Sequence, residues 1–353
     1  MAYLKRAIDR APDDRTLLQA RLFTGYAQVA DTAAPFDFDA AERGLDLAAE
    51  LGDDRLRSRC LTFTALSRLY ADVDSAWRLS KQAYELAETA GDGYGRDAAR
   101  ALQGLILTMR DRHDAAAPIL REAADGLISR GDRGIAATVF VVQSGSALLT
   151  GRLGAARELA QLAVQTATPL GDYFRVGMAR GQLATVLGVC GERERALSLL
   201  EPMVRLIEGD PDGVSVPGLG MVMGELLRLR GDAAEAIRWL ERDIPKASPA
   251  ADTYLMAVVL PPYGAALRTA GRRDEATEHL ERAVLLAQRF DLPRCQADAL
   301  EQLGYLADAD DPDRAANLHH EALTIRVEHG LRLRYVTSLE GPWVVHGIGR
   351  AAC

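Results

Sequence analysis

Residues 221–243, MVMGELLRLRGDAAEAIRWLERD, read as two amphipathic helices joined by a tight Arg230-Gly231-Asp232 turn. Gly224 stands seven residues before Gly231, and Ala236 stands five after it. A shift of 40 residues in either direction returns the same skeleton. The alanine recurs as Ala76, Ala116, Ala156, Ala196, Ala236, Ala276 and Ala316. The turn position reads Ala71, Asp111, Gly151, Gly191, Gly231, Gly271 and Asp311, and the small residue of the first helix reads Thr64, Gly104, Ser144, Ala184, Gly224, Gly264 and Gly304. Self-similarity at a fixed period of about 20–50 residues is the signature of a solenoid built from one supersecondary unit.

Each of the three positions has a physical reason. A helix that stops and reverses within three or four residues needs a residue tolerant of positive φ, which glycine supplies. Two helix axes approach closely only where small side chains face each other, and the Gly224 and Ala236 series fit that crossing. One hairpin cannot bury its own apolar stripe, whereas stacked hairpins share a continuous core. The expected fold is therefore all-α, a right-handed superhelical solenoid of helix-turn-helix hairpins with about 40 residues per repeat.

Composition agrees with an elongated array. Aromatic residues make up only 6% of the 353 residues, leucine and alanine abound, and strand-type alternation is scarce. The net charge is −8 with both signs interspersed, so the segment has no clustered basic surface for nucleic acid. Arginine far outnumbers lysine, which points to a GC-rich genome more than to a binding role. Cys60, Cys190, Cys295 and Cys353 have no C-x-x-C spacing and read as buried free thiols of a reducing compartment. The N-terminus MAYLKRAIDRAPDD lacks the apolar core of a signal peptide, and no apolar run approaches a membrane span. The expected location is cytoplasmic.

Taken in order, residues 3–10 read as a second helix without its first, 14–31 as a first helix and 39–51 as a second. First helices then follow near 54–70, 95–110, 133–149, 173–189, 216–229, 251–269 and 293–307. Second helices fall near 74–90, 114–130, 153–168, 193–208, 233–247, 273–289 and 313–329. The links Leu51-Gly52-Asp53, Ala90-Gly91-Asp92, Arg130-Gly131-Asp132 and Leu170-Gly171-Asp172 repeat one chemistry, with glycine ending a helix and aspartate capping the next. Three places break the pattern. GDPDGVSVPG at 209–218 is the longest Gly/Pro-rich link and delays the next helix, with Pro217 in its first turn. Pro261-Pro262 falls within one helical segment and predicts a kink or a split. The tail at 341–353 abandons the period, leaving 1–340 as the solenoid of about eight hairpins. Both ends are ragged where solenoids usually carry caps, which suggests a segment of a longer protein or a shortened relative of one.

The spacing of a small residue, a glycine seven on and an alanine five further resembles the tetratricopeptide pattern, with each helix about a turn longer than in the usual 34-residue unit. The phrases RALSLLEPMVRLIEGD, EATEHLERAVLLAQRFDLP and LHHEALTIRVEHGLRLRYVTSLE resemble the helical-repeat region of large LuxR-type ATPase transcriptional regulators, the group of the maltose-operon activator. The resemblance covers about residues 3–340. Such regulators carry an upstream nucleotide-binding module and a downstream helix-turn-helix, yet this sequence has no G-x-x-x-x-G-K-[ST] and no basic DNA-reading helix. In that family the repeat region is the sensor or partner-binding part, and the resemblance implies the same role here.

No catalytic constellation stands out. Gly218-Leu-Gly220-Met-Val-Met-Gly224 has the wrong spacing for a dinucleotide fingerprint and no preceding strand. His319 and His320 point about 100° apart on a helix, which forms no zinc pair and reads as a solvated face. Ser144, in Gln143-Ser144-Gly145-Ser146, occupies the small-residue packing position. No cofactor and no metal is called for.

By resemblance, the residues of the first helices at fixed distances before the turn line the concave groove. In the middle repeats these include Leu148, Met178, Thr185, Met221, Glu225, Arg228 and Arg268. Methionines adapt to irregular ligands, and the charged residues can orient a polar group. The bland alternative is that the longer helices shift the register and bury some of these side chains as core. The expected function is non-enzymatic. The groove takes a small apolar molecule or a protein or peptide partner, in transcriptional regulation, with no direct nucleic-acid or membrane contact and with homo-oligomerisation left open. An enzyme that converts an apolar molecule in the channel is the alternative, with Glu225 as its acid/base and burial raising its pKa. The Pro261-Pro262 break next to Met221 and Arg228 places the expected site between the third and sixth full repeats.

Overall fold

The computed structural model describes residues 38–209, 216, 218–244, 252–308 and 310–334. The expected helices at 3–10 and 14–31, Pro217 and the 341–353 tail lie outside them. Among the described residues there are fifteen α-helices and no strand. After α1 (Phe38–Glu50), the helices pair as α2 (Asp54–Arg68) with α3 (Val73–Thr89), α4 (Gly93–Met109) with α5 (His113–Ser129), and α6 (Arg133–Leu149) with α7 (Leu153–Ala167). The array continues with α8 (Tyr173–Val189) and α9 (Arg193–Gly209), α10 (Leu219–Arg230) and α11 (Ala233–Asp243), α12 (Tyr254–Thr269) and α13 (Arg273–Arg289), and α14 (Pro293–Ala307) and α15 (Pro312–Glu328). This is a tetratricopeptide-like solenoid.

The punctuation follows the sequence. Gly151, Gly191, Gly231 and Gly271 take φ of 78°, 82°, 96° and 78° in the hairpin turns. In the links, Asp53, Asp132 and Asp172 accept from backbone N–H groups of the following first turn at 3.0, 2.9 and 3.0 Å. Asp92 departs from this. Its two oxygens take Arg59 Nε at 2.7 Å and Nη2 at 2.9 Å, tying two first helices together.

At the crossings Ala76, Ala116, Ala156, Ala196, Ala236 and Ala276 are fully buried. In the last unit the buried residue is Ala315, with Ala316 partly exposed, because α14 ends at Ala307, two residues before the 40-residue register predicts, and α15 starts at Pro312, one residue before it. That slip also turns His319 inward. It is buried, and a Cβ on Gly304 would lie 2.6 Å from its Nε2. The solvated-face reading therefore holds for His320, which is exposed, and fails for His319.

Pro261 and Pro262 neither end nor split α12, which runs from Tyr254 to Thr269 through both. Both sit at or beyond the eighth helical position, where each proline removes one i→i−4 bond. The surrounding apolar burial, with Leu260 and Leu267 fully buried, holds the segment helical against that loss.

First helices of neighbouring units pack on one another, whereas neighbouring second helices hardly touch. A two-layered array in which only one layer stays in contact curves toward that layer, so the first helices form the inner wall. The winding is tight enough for the superhelix to meet itself. Tyr70, in the turn after α2, packs on Tyr254 with ring centroids 5.8 Å apart. Asp111 Oδ2 accepts the N–H of Arg294 at 2.9 Å across 183 residues. A Cβ on Gly151 would lie 3.2 Å from Arg332 Cβ, while Leu333 packs against the core around Ala147 and Leu148. These three hairpin turns thus each meet the chain about four and a half units further along.

Candidate functional site

The inner wall inherits its side chains from a simple constraint. One stripe of each first helix is consumed by its own hairpin, and another by the next unit, so only a narrow remainder faces inward. Leu148 falls outside that remainder. It is 4% exposed and packs with Ala147, Ala156, Ala160 and Val186. Met178 and Thr185 are half-buried, and the Thr185 hydroxyl donates to the carbonyl of Gly181 at 3.0 Å. Met221 is half-buried against the main core, and its N–H donates to Asp243 Oδ2 at 2.8 Å.

The charged residues gather on α10, α12 and α14. Glu225 accepts both Nε and Nη2 of Arg228, each at 2.8 Å, in the fork geometry that suits a carboxylate. That pair holds Glu225 in an ionic contact rather than in the apolar setting the acid/base role calls for. Arg268 occupies the same place as Arg228 one unit later. Its Nε donates to Gln302 Oε1 at 3.0 Å, and its guanidinium lies 5.1 Å from the ring centroid of Tyr305. Burial and the neighbouring Arg228 charge push the Arg268 pKa below its usual value. Beside them Arg326, fully buried, donates to Glu301 Oε1 at 2.8 Å and Asp298 Oδ1 at 2.9 Å, and Arg294 approaches Asp298 at 3.6 Å. Asp111, which accepts the Arg294 N–H at 2.9 Å, adds a third carboxylate to this group.

The structure thus brings together Met221, Glu225, Arg228 and Arg268 on neighbouring inner helices. Met178 and Thr185 lie one unit earlier, and Leu148 belongs to the core. Gln302 and Tyr305 went unrecognised in the sequence. Tyr305 stands one period after Ala265 and two after Glu225, so the repeat register carried the signal, one unit beyond the middle repeats. Among the described residues, no group of three His, Cys, Asp or Glu side chains is placed to hold a metal ion, and no helix is long and apolar enough to cross a membrane.

No protein-family model matches the chain, and no curated protein matches it by sequence. Solved structures do match in fold. The quorum sensor NprR from B. thuringiensis, in its apo form, aligns with a TM-score of 0.54 at 11% identity, over 90% of this chain and 94% of that one. A signal transduction ATPase with numerous domains from Pyrococcus horikoshii, which carries a tetratricopeptide repeat sensor, aligns with a TM-score of 0.51 at 13% identity. The alignment covers 93% of this chain, which spans only about half, 52%, of that protein. Identities this low establish the shared helical-repeat fold alone.

Proposed function

We propose that this chain is a binding and sensing module whose inner wall captures a peptide segment, in the service of transcriptional regulation. The observation that carries the reading is the inner wall itself. Met178, Met221, Arg228, Arg268 and Tyr305 keep partial exposure there, on first helices whose other faces bury residues such as Leu187, Leu226, Leu267 and Leu303. The contact of the superhelix with itself encloses that wall, which suits an extended segment better than a folded partner. The same enclosure, with two methionines, supports a small apolar molecule as the second reading. Two structural neighbours are described as sensors, and the phrases that resemble LuxR-type regulators point to transcription.

A library of displayed random peptides, selected on the purified chain, should enrich binders. Their affinity should fall at least about tenfold for Met221→Arg, which fills and charges the wall. It should be unchanged for Leu285→Ala, a residue of the outer layer that is 66% exposed. Failure to enrich, or binders indifferent to Met221→Arg, would remove the inner wall as the binding face.

A further inference from the structure

We propose that closure of the superhelix is governed from the inner wall by a chain of six alternating charges, which runs from Arg268 to the seam at Asp111. Five of its members are joined by direct contacts. Arg326 donates through Nη1 to Glu301 at 2.8 Å and through Nη2 to Asp298 at 2.9 Å. Arg294 approaches the other Asp298 oxygen at 3.6 Å, and Asp111 accepts the Arg294 N–H at 2.9 Å. Asp111 also attracts the Arg294 guanidinium, and at the far end Glu301 attracts Arg268. The chain thus starts on α12, passes through α14 and α15, and ends in the turn between α4 and α5, on the other coil of the superhelix.

The two ends depend on each other through charge balance. Arg268, Arg326 and Arg294 offset Glu301, Asp298 and Asp111, with His113, 3.5 Å from Asp111, neutral and Arg228 paired with Glu225. Removing a charge at either end leaves an excess among groups that water screens poorly, since Arg326 and Glu301 are almost fully buried. The element able to yield is the seam. It rests on the Tyr70–Tyr254 pair, the Asp111 bond, the Leu333 contact and the approach of Arg332 to Gly151. Each hairpin keeps its own core when the coils part, so parting costs far less than unfolding. A network whose far end meets a separable contact couples the two places. An occupant that changes the charge of the wall then shifts the seam, a use that rests on the inner wall being the ligand face.

Deuterium exchange at the Arg294 amide, followed in the full chain without ligand, tests the coupling. Asp111→Asn keeps an acceptor for that amide and removes one negative charge, whereas Arg268→Gln removes one positive charge at the wall. Each should speed exchange at least about threefold, the low end of coupling within one network. The double variant, balanced again, should return to within about twofold of wild type. Arg268→Lys keeps the charge and should match wild type. Gln302→Glu sets a negative charge against the Arg268 Nε and should act as Arg268→Gln does, including its reversal by Asp111→Asn, so the inference stays testable if Arg268→Gln does not fold. No acceleration in a folded Arg268→Gln or in Gln302→Glu would overturn it. So would double variants as fast as the product of their singles, or Arg268→Lys as fast as Arg268→Gln. Library peptides that depend on Met221 beside such additive rates would leave the inner-wall reading standing alone. Compensation without any enriched peptide would uphold the coupling and remove that reading instead.

Discussion

At the scale of single residues, the crossings work by exchange of volume. A Cβ on Gly104, Gly224 or Gly264 would lie 2.4–2.5 Å from the nearest atom of Leu120, Leu240 or Leu280, sixteen positions later on the second helix. Where the first helix carries Ser144 instead, the second carries the fully buried Ala160, and Ser144 Oγ donates to the carbonyl of Ala156 at 2.7 Å. Gly264→Ala should therefore cost about 1–3 kcal/mol by overpacking, and Leu280→Ala about 2–5 kcal/mol. The double variant should cost clearly less than the sum, as a denaturant double-mutant cycle will show; strict additivity would refute the exchange. Asp243 supplies a titration of the same precision. Its carboxylate accepts the N–H of Met221 at 2.8 Å, yet burial outweighs that bond and raises its pKa from 3.8 to about 6. The folded state then holds a proton that the unfolded chain releases, so stability from this group is greatest below pH 4 and falls as pH rises toward 6. Between pH 4 and 7, wild type should lose roughly 2 kcal/mol relative to Asp243→Asn, measured by denaturant unfolding. A rising difference over that window would contradict the sign.

At the scale of elements, the start of α14 shows how one helix depends on a distant one. Its N-cap position is Leu292, which offers no side-chain acceptor, and Pro293 at the first position has no N–H to satisfy. The N–H of Arg294 is satisfied by Asp111, from the turn between α4 and α5. Asp111 holds φ at 54° in the turn column where four later units use glycine. The strain of a non-glycine residue there is offset by the cap it provides. Asp111→Gly should relieve the backbone but lose the cap, leaving global stability within about 1 kcal/mol of wild type. The amides at the start of α14 should nevertheless exchange faster with deuterium. Unchanged exchange at Arg294 would mean that the carboxylate does not cap the helix.

At the scale of the whole molecule, the tight winding turns a row of hairpins into an enclosed wall. Tyr70, Asp111 and Gly151 are the points where one turn of the superhelix rests on the next. If these contacts set the curvature, Tyr70→Ala combined with Asp111→Ala should raise the radius of gyration measured by solution scattering. Helicity should persist, because each hairpin keeps its own core. An unchanged scattering curve would place the control of curvature in the nearest-neighbour packing alone.

The period, the turns and the crossings were legible in the sequence because each is a local demand repeated every 40 residues: positive φ at Gly231, a small side chain at Gly224, a buried methyl at Ala236. Repetition averages out the ambiguity that a single hairpin carries. The slip from Ala316 to Ala315 escaped because a second helix that starts one residue early shifts the register without altering composition. The fate of the inner residues was decided by tertiary structure. Leu148 and Met178 both sit at groove positions of their first helices, yet one is core and the other wall. Leu148, three residues before its turn, is packed by Val186 of the next first helix, whereas Met178, thirteen residues before its own turn, stays half-buried. The partnership of Asp111 with Arg294 lay further still from the sequence, because it depends on the pitch of the superhelix, a sum of small rotations between units that no single repeat encodes.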